Sequence, residues 1–188
     1  MRSMASSKRL STLVTGSLWA IMLAGTCSAD DNNWSHSGQH GSVTLGIGAL
    51  TQKWRSAFYV NRGFDATVIR PYATACGFSF GLRNEGDVAI ETRLSDWRAV
   101  GADGAEIALR LPENWEAEWE RAGVSQSARI AFHWAQFQSE NVFEPGDWIM
   151  GMATLAAAPQ APFRLLASYR DSGGEHEILI EQLNCAGD

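Results

Sequence analysis

Two cysteines, Cys76 and Cys185, constrain this 188-residue chain more than any other feature. A bond between them closes a loop of about 110 residues, for which chain entropy gives an upper figure of roughly 4–5 kcal/mol. Whether they form an even pair depends on the third cysteine, Cys27, which sits in an unusual N-terminal region.

Arg2, Lys8 and Arg9 come before any acidic residue, the stretch Leu10 to Gly25 is largely apolar, and Cys27-Ser28-Ala29 offers the small residues a signal peptidase accepts. Asp30-Asp31-Asn32-Asn33 follows at once. This order predicts a cleavable secretory signal peptide over residues 1–29. An uncleaved anchor is one competing reading, but Ser11, Thr12, Thr15, Gly16 and Ser17 interrupt the roughly 20 apolar residues that a span requires. A lipidated Cys27 is another, because Leu23-Ala24-Gly25-Thr26-Cys27 is close to a lipobox, with Thr26 out of register. Cleavage at Ala29 removes Cys27 and leaves Cys76 and Cys185 as a pair, which in an exported chain forms a disulfide. Zinc is the weaker use for them, since neither has a second Cys or His at ligand spacing. The expected location is outside the cytoplasm: periplasmic in a Gram-negative source, otherwise secreted, with lipid anchorage at Cys27 as the alternative. No later stretch is apolar and long enough to span a membrane.

Export also changes the charge. The whole chain carries 15 Lys and Arg against 21 Asp and Glu. Losing Arg2, Lys8 and Arg9 leaves 12 against 21, a net charge of −9. Such acidity argues against nucleic acid, whose phosphates need clustered cations, and against an anionic membrane surface.

Residues 30–42 are polar and rich in Gly, Ser and Asn, which predicts a flexible lead-in to a single globular domain over 43–188. Val43 to Ile47 alternates as a short strand. Leu50, Trp54, Ala57 and Phe58 fall on one helical face, while 65–75 has helical spacing interrupted by Pro71, so a helical segment is expected over about 50–75. From Cys76 onward the period becomes two. Strands are expected at 76–82, 88–94, 97–100, 106–111, 128–137, 148–155, 162–169 and 177–183, with turns rich in Gly, Asp and Asn between them. Pro112 to Ala122 is the exception, a short helix started by Pro112 and stopped by Gly123. The expected fold class is α+β and mostly β. It is an antiparallel β-sandwich over about 76–188, immunoglobulin-like in arrangement, with an N-terminal helical segment and one inserted short helix.

Gly77-Phe78-Ser79-Phe80-Gly81 fits the G-x-S-x-G pattern of a hydrolase nucleophile, with His133 and His176 later in the chain. That chemistry needs a strand-to-helix elbow, whereas residues 76–82 alternate as one strand and run into Asn84-Glu85-Gly86-Asp87. Ser79 therefore reads as a strand residue. His133, placed on the expected strand 128–137 opposite Ile130, Phe132 and Trp134, is the histidine available as a general base. His36 and His40 form H-x3-H, a metal-capture pattern on a helix, in a segment whose glycines disfavour helix. Gly46-Ile47-Gly48 lacks the third glycine of a dinucleotide fingerprint. Trp115 and Trp119, four apart on the expected helix, suit either a core stripe or a stacking surface for a ligand, and Glu113, Glu116, Glu118 and Glu120 suit acid/base carboxylates or, more simply, a solvated face. Asn33-Trp34-Ser35 is a formal glycosylation sequon.

These features favour an exported, non-catalytic envelope or extracellular module that binds a protein or other ligand, without a cofactor. The alternatives are a small exported hydrolase using His133 as base, and weak metal capture by His36 and His40.

Overall fold

The alternating runs of the sequence become strands, and what alternates with them decides which way each strand faces. The computed structural model describes residues 34–187. The leader, Cys27 and everything up to Asn33 lie outside the described residues. The chain runs β1 (His36–His40), β2 (Val43–Ala49), α1 (Gln52–Val60), α2 (Ala66–Thr74), β3 (Gly77–Asn84), β4 (Ile90–Arg93), a 3-10 turn (Leu94–Asp96), β5 (Arg98–Val100) and β6 (Glu106–Arg110). It continues through α3 (Pro112–Arg121), α4 (Gln126–Ala135), β7 (Glu140–Phe143), β8 (Trp148–Leu155), β9 (Phe163–Asp171) and β10 (Gly174–Leu183).

All of the described strand pairings are antiparallel. They form one ten-stranded system in the order β1-β2-β3-β8-β6-β5-β9-β4-β7, with β10 on the other edge of β9. β6 makes the corner: Ala108, Ile107 and Glu106 pair with β5, while Leu109 and Arg110 pair with β8. The sheet folds over at that point into two layers. Val43, Leu45, Ile47, Phe78, Phe80 and Leu82 from one layer meet Leu165, Ala167, Tyr169, Ile178 and Ile180 from the other. Trp97 lies between the layers, with its indole nitrogen donating to the Ser168 carbonyl at 2.8 Å. This is the mostly β, sandwich-like α+β architecture the sequence implied, although a layer of four helices has no counterpart in an immunoglobulin sandwich.

The helices build a second core on the outer face of the β2-β3-β8 layer. Tyr59, Phe64, Ile69, Tyr72, Trp115, Trp119, Ala128 and Phe132 pack there against Met152 of β8. Side-chain caps start three of these helices: Thr51 for α1, Asp65 for α2 and Ser125 for α4. Gly123, with φ of 71°, ends α3 in the left-handed region. A buried polar link ties the helices to the sheet. Gln136 donates to the Tyr59 hydroxyl at 2.6 Å and accepts from the Tyr72 hydroxyl at 3.1 Å. Burial pushes both phenols upward from their ordinary value, so they remain protonated.

Two expectations are corrected. The stretch 128–137 is not a strand: it is mostly α4. Ala128, Ala131, Phe132 and Ala135 also recur at helical spacing, and alanine favours helix, so Ile130 and Trp134 point outward. The lead-in 30–42 is not loose where it is described, because His36–His40 pairs residue by residue with Val43–Ile47. A two-residue turn at Gly41, with φ of 57°, makes that hairpin possible.

The cysteines meet as expected. Cys76 and Cys185 form a disulfide with Cα atoms 5.2 Å apart, joining the start of β3 to the segment after β10. Among the described residues no helix is long and apolar enough to cross a membrane.

Candidate functional site

The ladder of β2, β3 and β8 explains the glycine motifs. Along a strand alternate residues share a face, so Gly46, Gly48, Gly77, Ser79, Gly81, Met150 and Met152 all point outward, opposite the inter-sheet core. Each small residue makes room for a neighbour. A Cβ on Gly77 would lie 2.1 Å from the Arg55 guanidinium, which lies there on its way to the Tyr72 and Ala75 carbonyls. Ser79 donates to the Gly48 carbonyl at 3.4 Å. A Cβ on Gly46 or on Gly81 would fall 2.3 Å from the Trp34 indole.

Gly46 and Gly81 are cross-strand partners. Together they make a floor without side chains, and Trp34 lies on it. In the same row Gly81 pairs with Met150, and in the next row Thr44, Arg83 and Trp148 stand side by side across three strands. Trp148 is 50% exposed and Met150 56%. The Arg83 guanidinium carbon is 6.0 Å from the Trp148 ring centre. The helical layer covers the Met152 and Thr154 rows, where Trp115 donates to the Thr154 hydroxyl at 3.0 Å. The Trp34–Met150–Trp148 half of the face is the half left accessible. It presents flat aromatic and apolar surface beside Arg83 and Thr44.

The candidates read from sequence are distributed differently. Ser79 is a mid-strand residue of β3, without the elbow a nucleophile requires. The G-x-S-x-G match is a pattern of small residues beneath Arg55 and Trp34. Trp115 and Trp119 are buried and stacked at 5.4 Å, which removes them as ligand-binding candidates and places them in the helical core. His36 and His40 sit at opposite ends of β1, about 13 Å apart at strand rise, too far to share one ion. Among the described residues no group of three His, Cys, Asp or Glu is placed to hold a metal.

His133 lies on α4, not on a strand. Its Nδ1 is 2.8 Å from Oε1 of Glu116 on α3, and its ring meets Trp134 edge to face at 5.4 Å. Sequence reading offered that glutamate as an acid/base carboxylate and favoured a solvated face. A carboxylate holding an imidazole is half of a general-base arrangement. The other half is a group to deprotonate, a hydroxyl or a water; the Ser139 hydroxyl donates to Glu113 at 2.7 Å.

A third polar group links β1, β9 and β10. His40 Nδ1 is 2.9 Å from the Tyr169 hydroxyl, which also donates to the His40 carbonyl at 3.1 Å. His176 Nε2 is 2.9 Å from Asp171. The hydrogen bond from His176, followed by that from the Gly173 amide, holds the Asp171 carboxyl below the usual carboxylate range.

Neither a family model nor a curated protein matches the chain. Among solved structures the chain is similar to the yjhA protein from Bacillus subtilis, over 71% of this chain and 78% of that one, with a TM-score of 0.39 and 8% identity.

Proposed function

We propose that this protein is an exported, non-catalytic binding module whose ligand face is the Trp34–Met150–Trp148 platform. The observation that carries the reading is the Trp34 indole laid on the Gly46–Gly81 pair beside half-exposed Trp148 and Met150. Two large aromatics held on rigid strands supply stacking area at little entropy cost. Export is supported by the leader pattern and is compatible with the disulfide.

The ligand class that suits the platform is a neutral glycan chain. A pyranose ring offers a flat C–H face to an indole and hydroxyls to Arg83 and Thr44. Three apolar side chains fall well short of the roughly 20–30 residues a side that a stable protein interface uses. The acidic chain disfavours a polyanion.

Calorimetric titration of the purified protein with soluble hexasaccharides of chitin, xylan and cellulose tests the reading. One class is expected to bind, and Trp148→Ala is expected to weaken it about 30-fold, a loss of about 2 kcal/mol. Absence of binding to all three, or unchanged affinity in Trp148→Ala, contradicts the glycan assignment.

The Glu116–His133 pair favours a second reading, an exported hydrolase with His133 as base. Turnover of ester or glycan substrates that disappears in His133→Ala would support it. The binding reading expects His133→Ala to leave hexasaccharide affinity unchanged.

A further inference from the structure

The two layers of the sandwich overlap at one edge, where β1 lies against β10. The face of β1 turned toward β10 carries His36, Gly38 and His40, opposite the inward-facing Ile47, Leu45 and Val43 of β2 in register. Gly38 is the point of closest approach. A Cβ there would lie 2.7 Å from the Leu179 carbonyl oxygen and 2.8 Å from an Ile178 methyl. One register step toward the turn, the His40 and His176 rings stack with centroids 5.0 Å apart and planes 29° from parallel. No ladder joins β1 to β10 among the described pairings, so packing of the Gly38 backbone and the side chains on either side of it closes this seam.

Each ring is held at one nitrogen. His40 Nδ1 lies against the Tyr169 hydroxyl, which donates to the His40 carbonyl. His176 is held through Nε2 by Asp171. Two strands bring polar groups to the stack. Tyr169 and Asp171 come from β9, and His176 comes from β10. Val43, opposite His40 on β2, does not titrate, and the Glu85 amide donates to the Ser42 carbonyl at the turn. Burial, and then the charge of Asp171, push Tyr169 upward, while Asp171 is held low. Tyr169 is thereby held above, and Asp171 below, the range in which an imidazole ordinarily changes charge.

We propose that the β1–β10 overlap is an acid-sensitive seam, closed by the His40–His176 stack and loosened when both rings are protonated. Asp171 can neutralise one imidazolium. The second places like charge 5.0 Å from the first, with Asp171 bonded to His176. The inference is independent of the ligand platform, which lies on the opposite face of the β2–β3 layer.

The test is backbone amide exchange of the purified protein at pH 7.5 and 5.5, corrected for intrinsic exchange rates. Protection of residues 36–47 is expected to fall about tenfold on acidification, while amides of Phe78–Leu82 in β3 keep theirs. His40→Gln and His176→Gln should each reduce that fall to less than about twofold, because a single cation remains. Constant protection of 36–47 in the unmodified protein overturns the proposal. So does an equal loss in β3, or a tenfold fall that persists in both glutamine variants.

Discussion

Replacing Cys76 and Cys185 together with alanine is expected to lower stability by about 4 kcal/mol. The disulfide spans 109 residues of sequence, so its removal frees most of the described chain in the unfolded state. In the folded state it joins the start of β3, central to one layer, to the segment after β10, whose described ladder is with β9 alone. Loss of the bond therefore also releases the C-terminal edge of the second layer. Urea unfolding followed by far-UV circular dichroism should show the midpoint falling by about 2 M, and reductant added to the unmodified protein should reproduce the shift. A change below about 1 kcal/mol would mean that the unfolded chain is already compact enough for the cross-link to matter little.

Trp119→Ala is expected to cost about 3–5 kcal/mol. The side chain is 2% exposed, stacks on Trp115 at 5.4 Å and meets Phe64 and Phe132 edge-on at 5.5 and 5.6 Å. Truncation would leave a cavity among aromatic rings that cannot collapse without moving α3 away from α4. The indole nitrogen is buried without a hydrogen-bond partner. Trp119→Phe removes that unmet donor along with one ring, and should cost less than about 1.5 kcal/mol. Trp148→Ala, on the accessible face, should stay within about 0.5 kcal/mol. Measured in one denaturant series, the three variants separate the tryptophans that hold the fold from the one assigned to the ligand. Comparable losses for Trp119→Ala and Trp148→Ala would end that distinction.

These contrasts follow how far the fold could be read from the residues. Helix α3 was legible because Pro112, Gly123 and a tryptophan pair four apart all agree on its limits. β3 was legible because Phe78, Phe80 and Leu82 alternate with small residues. The disulfide followed from counting cysteines. α4 was misread because Ile130, Phe132 and Trp134 alternate within a segment whose alanines also suit a helix. Deciding between the two requires knowing that Ile130 and Trp134 face outward. β1 was invisible for another reason. Its inward face is His36, Gly38 and His40, and the middle position must lack a side chain because β10 passes against it. A strand whose packing partner is a neighbouring backbone carries no hydrophobic signature.

The candidate site was hidden in the same way. Gly46-Ile47-Gly48 and Gly77-x-Ser79-x-Gly81 suggested nucleotide and hydrolase motifs, each in the wrong context. Taken together as two strands in register, they describe a face cleared of side chains, and Trp34 is the residue that occupies it. The joint signal is glycine recurring every second position on two runs, with a tryptophan shortly before the first. Glu116 as the partner of His133 could not be found from spacing, because it depends on α3 and α4 lying side by side.

The most direct test of the binding reading is nuclear magnetic resonance mapping of the 15N-labelled protein titrated with the chitin, xylan and cellulose hexasaccharides. The account predicts that one of them shifts the indole signals of Trp34 and Trp148 and the amides of Gly46, Gly81 and Met150. The signals of Trp115, Trp119 and His133 should stay in place. Shifts centred on His133 and Trp134, or no shifts with any of the three sugars, would contradict it.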